Sequence, residues 1–540
     1  MKKIFSFLSI LMLFCSMGCK KFFEEPDELM TEEEAFADMQ VADKFLTNVY
    51  SDLYGSVYKS SELYISPFSA TTDEAESGNL IAGAYDFNAG QQSAYDYPLG
   101  DYWLFEYAYI RAANIYLKNI DNVPGDAALI AERKAEATFL KAFFYMQLLK
   151  NYGSFIIVDE VLSVNDNLKL PRASAEECVN YIVGMADAAA GVLPVTPYNS
   201  ETGRATKGAA LALKAEALLF YASPLYNPDN DLARWDAAAN AAYAIISNAD
   251  LGYGLYASYQ NLFLSNYNQE VIYAYNAGST NAMNLYLEPN GYSGWAGLNP
   301  TQEIVDAYEM SNGLAPFNSD GSVNTASGYD PANPYDNREP RFYASILYNG
   351  AAWQGRSVET FVGGTDAIGI GQHTRTQTGY FIRKFLDESV IITKGNTRYA
   401  TWILYRLGTV ILDFAEARNE ASGPVSEVYT AVNAIRSRAG LPDLPTGLSQ
   451  DEMREKIRHE RLIEMAFEDN RFWDVRRWKI GVQAFNITTH GMYITKSGNT
   501  LNYEVVPVRT RYRIEQQWDL FPIPQSEINK NPLLEQNPGW

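Results

Sequence analysis

The spacing of apolar side chains predicts long α-helices in the first half of the chain. Over Ala131–Lys150, apolar residues recur every three or four positions, which places them on one face of a helix. Gly153 follows and predicts the end of this helix. Ala205–Tyr221 and Trp235–Ile246 predict two more helices, both rich in alanine. Small side chains let paired helices approach closely, so these pairs resemble tetratricopeptide repeats, although the full repeat signature is absent.

The middle of the chain, Gly252–Thr401, has few periodic apolar runs and is rich in Gly, Asn, Tyr and Ser. Stretches such as AGSTNAMNLYLEPNGYSGWAG and FVGGTDAIGIGQHTRTQTG predict loops and short strands. Binding sites tend to lie on long irregular excursions from a rigid scaffold. We therefore expect the ligand site of this protein in the irregular portion, about residues 252–401.

Helical spacing returns after this portion and then ends in a proline-containing tail. The pattern predicts helices at Trp402–Glu420, Val425–Arg438 and Gln450–Phe467. In the tail, residues 480–540, the proline spacing forbids long helices. No Pro/Ser-rich linker or low-complexity block divides the chain, so we predict a single domain over residues 19–540. Its helical repeats fall mainly in residues 30–250 and 402–470.

The first 18 residues have the layout of a secretory signal peptide, with Lys2 and Lys3 before the apolar run Ile4–Phe14. This run is too short to span a membrane, and no later segment is long and apolar enough. Cys19 follows small residues as in a bacterial lipobox, which predicts a lipid on its thiol and acyl chains on its N-terminus. Ser16 stands where a lipobox usually has Leu, and the alternative is plain secretion with cleavage nearby.

The composition narrows the class of ligand. The chain has 43 Lys and Arg against 65 Asp and Glu, a formal charge of -22, so nucleic acid is excluded as a partner. Neutral oligosaccharides fit this charge better than acidic ones, unless a local basic patch reverses the preference. Aromatic residues make up 14% of the chain, and 38 of them are Tyr. Tyr and Trp offer a flat apolar face on which a sugar ring can pack, with a polar group nearby.

Several segments along the whole chain resemble the SusD/RagB family of nutrient-binding outer-membrane lipoproteins. They are CKKFFEEPDELMTEEEAF, YAYIRAANIYLKNID, KAEATFLKAFFYMQLLKNYGSFIIV, RATKGAALALKAEALLF, YRLGTVILDFAEARNE with VNAIRSRAGLP, HERLIEMAFEDNRFWDVRRW, and the closing LFPIP and QNPGW. The resemblance implies a mostly α-helical, tetratricopeptide-like scaffold with an irregular ligand-binding portion. It also implies a surface lipoprotein that delivers oligosaccharides, or in some cases peptides, to a SusC-like TonB-dependent transporter, and that binds its ligand without cutting it.

The sequence offers little support for catalysis. Its three histidines lie in unrelated contexts, and it contains no HExxH, GxSxG or Cys/His metal spacing. We therefore predict no catalytic residue, no metal and no cofactor. A polysaccharide-degrading enzyme is the alternative, because an acidic chain offers many carboxylate pairs of the kind that glycosidases use. The charged run from Arg461 to Arg477 has opposite charges about one helical turn apart with Phe and Trp interleaved, which indicates an internal ion-pair network.

Aromatic residues in the irregular segments are the candidates for ligand contacts. In LYLEPNGYSGWAG, Tyr292 and Trp295 are flanked by glycines that would let a ligand approach the backbone. Tyr85 and Tyr95 lie in an early loop, GAYDFNAGQQSAYDYPLGDYW, with Asn88 and Gln92 as polar neighbours and Trp103 as a structural residue. Trp353 is a further candidate, with a packing role as the alternative. We therefore predict Trp295, Tyr292, Tyr95, Tyr85 and Trp353 as the ligand-binding residues.

Overall fold

The computed structural model describes residues 31–57, 68–80, 83–196, 201–511 and 515–540. The predicted signal peptide, residues 1–18, and the predicted lipid-bearing Cys19 lie outside the described residues. Helices of the first half are α1 (Glu32–Ala35), α2 (Met39–Val57), α3 (Gly83–Asn88), α4 (Tyr102–Asn119), α5 (Ala127–Tyr152), α6 (Ala175–Val192), α7 (Lys207–Ala222) and α8 (Leu232–Ile246). Later helices are α9 (Tyr259–Leu262), α10 (Ala282–Leu287), α11 (Gln302–Ala307), α12 (Pro340–Ser345), α13 (Leu407–Ser422), α14 (Ser426–Arg438), α15 (Gln450–Glu464), α16 (Asn470–Arg477), α17 (Gly481–Phe485) and α18 (Gln525–Lys530).

The strands pair two by two. They are β1 (Ala75–Ser77), β2 (Val271–Thr280), β3 (Leu298–Pro300), β4 (Ile346–Leu347), β5 (Ala352–Trp353), β6 (Arg356–Ser357), β7 (Phe381–Ile382), β8 (Arg398–Arg406), β9 (Thr488–Ser497) and β10 (Thr500–Thr510). All five pairs are antiparallel: β1 with β3, β2 with β8, β4 with β7, β5 with β6, and β9 with β10.

The long helices form one continuous array. Helix α4 packs on α5, α5 on α6, α6 on α7, and α7 on α8, so neighbours in sequence are neighbours in space. Helix α8 then packs on α13, which also contacts α14 and α15. The two helical segments of the sequence therefore join across the irregular portion, and the predicted mostly α-helical, tetratricopeptide-like fold is confirmed.

Helix α5 shows how closely local signals set a helix. Asp126 caps its start by accepting hydrogen bonds from the backbone N–H groups of Ala128 at 2.7 Å and Leu129 at 3.2 Å. Gly153 ends it with a positive φ of 83°, a conformation that glycine adopts without strain. The predicted helix Ala131–Lys150 lies inside the observed Ala127–Tyr152, and the extra turns come from this cap and from the burial of Tyr152.

The prediction of a helix from Trp402 is wrong at its start. Trp402 and Ile403 belong to strand β8, in which Trp402 faces Tyr275 of β2, and the helix begins only at Leu407. Apolar residues at 403 and 407 fit a helical spacing, but pairing with β2 decides the conformation, because strand formation depends on cross-strand partners more than on local preference. This strand pair holds the beginning and the end of the irregular portion side by side.

The tail contains an element that the sequence analysis did not predict. Strands β9 and β10 form a hairpin whose register runs from Ser497 opposite Thr500 to Thr488 opposite Thr510. Gly498, at a φ of 61°, lies in the connecting turn. Beyond the hairpin only short helices occur in the described part of the tail, as the proline spacing predicts.

Buried ion pairs join the helical array to the irregular portion. The Arg406 guanidinium lies 2.8 Å from carboxylate oxygens of Glu270, Glu464 and Glu468. Arg438 and Arg341 also reach Glu464. Burial alone would raise the pKa of Glu464, but the three arginines outweigh it and hold that pKa well below its usual range. The prediction that the charged run forms an internal ion-pair network is confirmed.

The rest of the charged run pairs with α13. Arg461 donates to Asp413 at 2.6 Å and to Asp474 at 2.9 and 3.0 Å, while Arg477 bonds both Glu416 and Asp474. Burial raises the pKa of Asp413 to about 6. These acids therefore hold α13, α15 and α16 together as partners of arginine.

Candidate functional site

A cleft of about 590 Å³ opens where the early loop, the irregular portion and the C-terminal hairpin meet. We call it the Tyr85 cleft, and its lining residues are Leu80, Tyr85, Asn88, Ala89, Ile370, Gly371, Gln377, Val508, Arg509 and Thr510. Helix α3 contributes Tyr85, and strand β10 contributes Arg509. Most of the lining is apolar or uncharged, and the volume lies within the range of ligand sites.

The aromatic ring in the cleft is held by an arginine. The guanidinium carbon of Arg509 lies 3.8 Å from the centroid of the Tyr85 ring, which is a cation–π contact. The Nε of Arg509 faces a carboxylate oxygen of Glu76 at 3.2 Å, and Arg511 binds the other oxygen at 2.6 Å. Glu76 and Arg511 are buried, so they form a fixed base beneath Tyr85 and Arg509.

The wall formed by residues 370–377 is fixed by hydrogen bonds to its neighbours. The N–H of Gly371 donates to Oε1 of Gln377 at 2.7 Å, and the N–H of Gln377 donates to Oδ1 of Asn299 at 3.0 Å. The N–H of Leu80 donates to Nδ1 of His373 at 3.4 Å. These bonds tie the loop to both the early segment and β3, so the wall has a defined shape.

Trp295 lies at an exposed turn beside this wall. Its side chain is 41% exposed, while the N–H of Trp295 donates to the carbonyl of Leu285 at 2.8 Å. Gly78 connects the turn to the loop, because its N–H donates to Gly297 and its carbonyl accepts from Thr374, both at 3.1 Å. Trp295 and the wall of the Tyr85 cleft therefore belong to one hydrogen-bonded surface.

The glycines around Trp295 do not open the backbone to a ligand, so that expectation is wrong. A Cβ at Gly294 would lie 2.2 Å from the carbonyl oxygen of Glu288, and one at Gly297 would lie 2.2 Å from the Tyr286 ring. A Cβ at Gly291 would lie 2.3 Å from a carboxylate oxygen of Asp366. These glycines make room for the protein's own atoms, and their effect is to hold the turn tightly.

Tyr292 is only partly available to a ligand. The guanidinium carbon of Arg356 lies 3.7 Å from its ring centroid, so one face is covered. Its hydroxyl donates to the carbonyl of Trp353 at 3.1 Å, and Arg356 is itself held by two bonds to Asp366 at 2.7 and 2.9 Å. Tyr292 therefore supports the turn beneath Trp295.

The structure contradicts Trp353 as an exposed binding residue and places it in the core. Its side chain is 1% exposed, in strand β5 of a short hairpin with β6. A ring that is covered on both faces offers no surface to a sugar, so packing is the role that this geometry supports. Sequence could not distinguish the two, because the burial of Trp353 comes from residues distant along the chain.

Tyr95 is the most exposed candidate, with 80% of its side chain accessible. It lies in a tight turn between Ser93 and Asp96, and the neighbouring carbonyl of Ala94 accepts from the N–H of Gln525. This turn rests on the C-terminal helix α18 and is not part of the lining of the Tyr85 cleft. Tyr95 is therefore accessible but separate from the other candidates.

Other residues of the early loop serve the core. Gln92 and Asn88 are buried, and Asn88 donates to the carbonyl of Ala70 at 2.9 Å. Trp103 is also buried, as predicted, and packs edge-on against Tyr152 with ring centroids 5.2 Å apart. Asn88 reaches the cleft only with a side chain that is already bonded.

A second cleft of about 370 Å³ lies between α2, the segment before α7, and β2. Two polar groups on its wall are already paired with residues behind it: the Tyr50 hydroxyl donates to Glu136 at 2.7 Å, and Arg204 donates to Glu136 at 2.8 Å and Asp43 at 2.7 Å. It is therefore the weaker candidate for polar recognition.

The described residues show no sign of a metal centre or a membrane span. No group of three or more His, Cys, Asp and Glu side chains within them is placed to hold a metal ion. No helix within the same ranges has both the length and the apolar character needed to cross a bilayer.

Sequence reasoning missed Arg509 and the wall of the cleft. Arg509 lies on β10, and the alternation of apolar and polar residues in TLNYEVVPVRT, preceded by the turn KSGN, is the signal that could have found this strand. Ile370 and Gln377 lie in a glycine-rich loop whose position depends on Asn299, so no local pattern marks them.

The fold and this site define a class: a helical-repeat scaffold that carries an irregular portion with an aromatic cleft. Within that class, the chain belongs to the SusD family. The family model described as "SusD family" matches residues 256–540. A second model, described as "Starch-binding associating with outer membrane", matches residues 21–219.

Individual relatives align with this chain over nearly its whole length. A SusD-like protein P2 from Formosa agariphila is 23% identical, with 98% of each chain covered. The crystal structure of a SusD-like protein from Bacteroides fragilis is 29% identical with a TM-score of 0.80, covering 95% of this chain and 100% of that one. A SusD-like carbohydrate-binding protein from Bacteroides fragilis is 24% identical with a TM-score of 0.77, covering 93% and 99%, and shows the shared fold.

Proposed function

We propose that this protein binds an oligosaccharide nutrient at the Tyr85 cleft and the adjoining Trp295 turn, without cutting it. The observation that carries the proposal is the exposed Trp295 ring on the hydrogen-bonded surface that also forms the cleft wall. An exposed aromatic ring on an ordered turn is available to a ligand, since most of its accessible face does not pack in the core. Sugar rings stack on such surfaces while nearby polar groups bind their hydroxyls.

Relatives support a glycan as the ligand. One solved relative is named as a SusD-like carbohydrate-binding protein, and another, at 21% identity and a TM-score of 0.66, as a laminarin-binding SusD-like protein. One of the two matching family models carries the description of starch binding. These descriptions belong to those proteins and models, and we extend to this chain only the general class of oligosaccharide.

We further propose that the protein is a lipid-anchored component of the cell outer membrane, exposed at the surface, and that it passes its ligand to a SusC-like TonB-dependent transporter. The support is the signal layout before Cys19 and the family model described as associating with the outer membrane. Replacing Cys19 with Ala should move the protein from the membrane fraction to the soluble fraction. Unchanged membrane retention in that variant would refute the anchor.

Binding and hydrolysis are separated by one experiment. The purified protein is applied to a glycan array, and each bound glycan is then incubated with the protein and analysed for shorter products by chromatography. Binding with intact glycan supports the proposal. Release of shorter products would favour the alternative, a polysaccharide-degrading enzyme, and an array without any bound glycan would refute glycan binding.

A further inference from the structure

The charge inside the Tyr85 cleft is opposite to the charge of the whole chain. The protein carries 65 acidic against 43 basic residues. Among the described residues that line the cleft, however, none is a carboxylate, and the one permanently charged side chain is Arg509. An acidic protein that keeps carboxylates out of one cleft and places an arginine there has a local field that favours anions.

The positive charge is not cancelled by the acid beneath it. Glu76 pairs with both Arg509 and Arg511, so the three side chains together keep one net positive charge. Arg511 is buried, and its Nη groups donate to backbone carbonyls of Thr72 at 2.6 Å and Ala75 at 2.8 Å. The net charge is therefore presented by Arg509, whose side chain is 18% exposed.

Arg509 is positioned to donate into the cleft. Its Nε faces Glu76 and its flat face lies on the Tyr85 ring, which together fix the plane of the guanidinium. Within the described residues its Nη1 and Nη2 have no hydrogen-bond partner. A fixed guanidinium with two adjacent donors that no described residue engages matches a carboxylate or a sulfate, because the two N–H groups bind two oxygens side by side.

We propose that the Tyr85 cleft selects an oligosaccharide that carries an anionic group, a uronate carboxylate or a sulfate, and that Arg509 is the specificity-determining residue. This inference rests on the proposed function and deepens it. The sugar ring stacks near Tyr85 and Trp295, while the anionic substituent receives the two Nη donors. The general charge of the chain, which repels acidic polymers at a distance, is overcome locally in the cleft.

The test compares matched glycans. An array presents uronic-acid oligosaccharides beside their methyl esters, and sulfated oligosaccharides beside their desulfated forms. We expect the acidic member of a pair to bind at least about tenfold more tightly, because charge-assisted hydrogen bonds are stronger than neutral ones. Raising the salt concentration should reduce this difference. The uronate and sulfate pairs show which of the two anions is preferred.

Substitution then assigns the preference to Arg509. Arg509→Gln should lose most of the preference for the acidic member, and the readout is the ratio of the affinities for the acidic and the neutral member. Arg509→Lys keeps the positive charge but lacks the two adjacent guanidinium donors, so it should retain part of the preference. The matched control is Arg418→Gln on the scaffold, since Arg418 also pairs with one carboxylate, Asp236 at 2.8 Å, and lies near an aromatic ring. This control should bind both members as wild type does.

The outcomes separate this inference from the proposed function. If neutral and acidic members bind wild type equally, or if Arg509→Gln weakens both members to the same degree, the selection of anions is refuted while glycan binding stands. If no glycan on the array binds, the proposed function fails and the inference fails with it. Circular dichroism and thermal melting of each variant establish that the fold is retained.

Discussion

Arginine and glutamate side chains meet in two regions of this molecule, around Glu464 and around Glu76. Around Glu464 the arginines Arg406, Arg341 and Arg438 converge on one buried carboxylate, and Arg406 and Arg341 are about 1% exposed. Around Glu76 one arginine is buried, but Arg509 remains partly exposed and lines a cleft. In the first region the charged side chains pair with one another. In the second, Arg509 keeps donors that can bind a ligand.

The difference shows how one kind of residue pair serves two purposes. A closed ion-pair network offers a ligand few unpaired groups. Removing one member of the network lowers stability, because each charge left behind is buried without a partner. An open pair costs less to alter but determines what can bind beside it. Variants in the two regions should therefore separate into those that change folding and those that change binding.

The largest effect is expected at the closed region. Glu464→Gln removes the negative charge that three buried arginines share, and we expect the free energy of unfolding to fall by about 3–5 kcal/mol. Chemical denaturation measures this value, and glycan affinity per folded molecule should not change. Glu455→Gln, an exposed position on the same helix with 72% of its side chain accessible, is the control and should leave stability almost unchanged. Equal stability of both variants would show that the network is not structural.

A similar loss of stability is expected at Trp353. Trp353→Ala removes a large ring that is 1% exposed, and we expect a loss of about 3–5 kcal/mol in the free energy of unfolding. Affinity for the glycan should stay at the wild-type value in the folded fraction, measured by calorimetric titration. A stable Trp353→Ala protein that no longer binds the glycan would show that Trp353 belongs to the ligand site.

The scaffold could be predicted from the sequence because its signals are local. Helix α5 carries its own cap at Asp126 and its own stop at Gly153, so the predicted helix lies inside the observed one. The start of α13 was misplaced because β2 pairs with residues 398–406, and that partner lies far away in sequence. Trp295 lies outside the helices and strands, as predicted, since glycines and a polar neighbourhood mark irregular segments locally.

The site was predictable only in part, for the same reason. Tyr85 was chosen from its loop, but Arg509, which covers one face of its ring, comes from a hairpin near the end of the chain. Trp353 was misjudged because burial is a property of the packed molecule and not of the NGAAWQGR segment. Local patterns thus supply the aromatic residues, whereas the charge and shape of the cleft arise from long-range contacts.

In the open region the expected effect is on binding. Trp295→Ala removes an exposed ring, and loss of stacking on one ring is worth on the order of 1–3 kcal/mol by analogy with bases on aromatic residues. We therefore expect affinity to fall about tenfold or more, since about 1.4 kcal/mol corresponds to tenfold. Titration with the glycan selected by the array measures this change, and thermal stability should be nearly constant. Tyr95→Ala serves as the comparison, and we expect a weaker effect because its turn lies outside the cleft lining.

If Trp295→Ala binds as wild type does, the turn is not the stacking surface, and the Tyr85 cleft alone must account for binding. Tyr85→Ala would then be the more sensitive variant. If Trp295→Ala unfolds, the Trp295 ring stabilises the turn, and its exposed fraction of 41% does not make it a ligand contact. Either result would weaken the division between a closed region and an open one.

A pH-dependent effect is expected at Glu74, a buried glutamate just before β1 that has no arginine within ion-pair distance among the described residues. Its carboxylate oxygens accept from the N–H of Phe467 at 3.1 Å and the hydroxyl of Thr72 at 3.3 Å. Burial raises the pKa of Glu74 from 4.5 to about 8. It is therefore the opposite of Glu464, whose pKa the arginines lower.

The sign of the pH dependence follows from this difference. Between the unfolded pKa of 4.5 and the folded pKa of about 8, the folded state holds a proton on Glu74 that the unfolded state releases. Stability from this residue is therefore complete below the window and is lost as the pH rises through it, by at most about 1.4 kcal/mol per pH unit. Glu74→Gln removes the titration, so its stability should fall less steeply between about pH 5 and about pH 8 than that of wild type.

Urea denaturation across this range compares Glu74→Gln with wild type, and Glu455→Gln serves as the control whose pH profile should follow wild type. At the low end of the range Glu74→Gln and wild type should be nearly equal, and at the high end Glu74→Gln should be the more stable protein. Parallel profiles for Glu74→Gln and wild type would show that Glu74 is already ionised at neutral pH. Arg471, which pairs with the neighbouring Asp73 at 2.7 Å, would then have to stabilise both carboxylates.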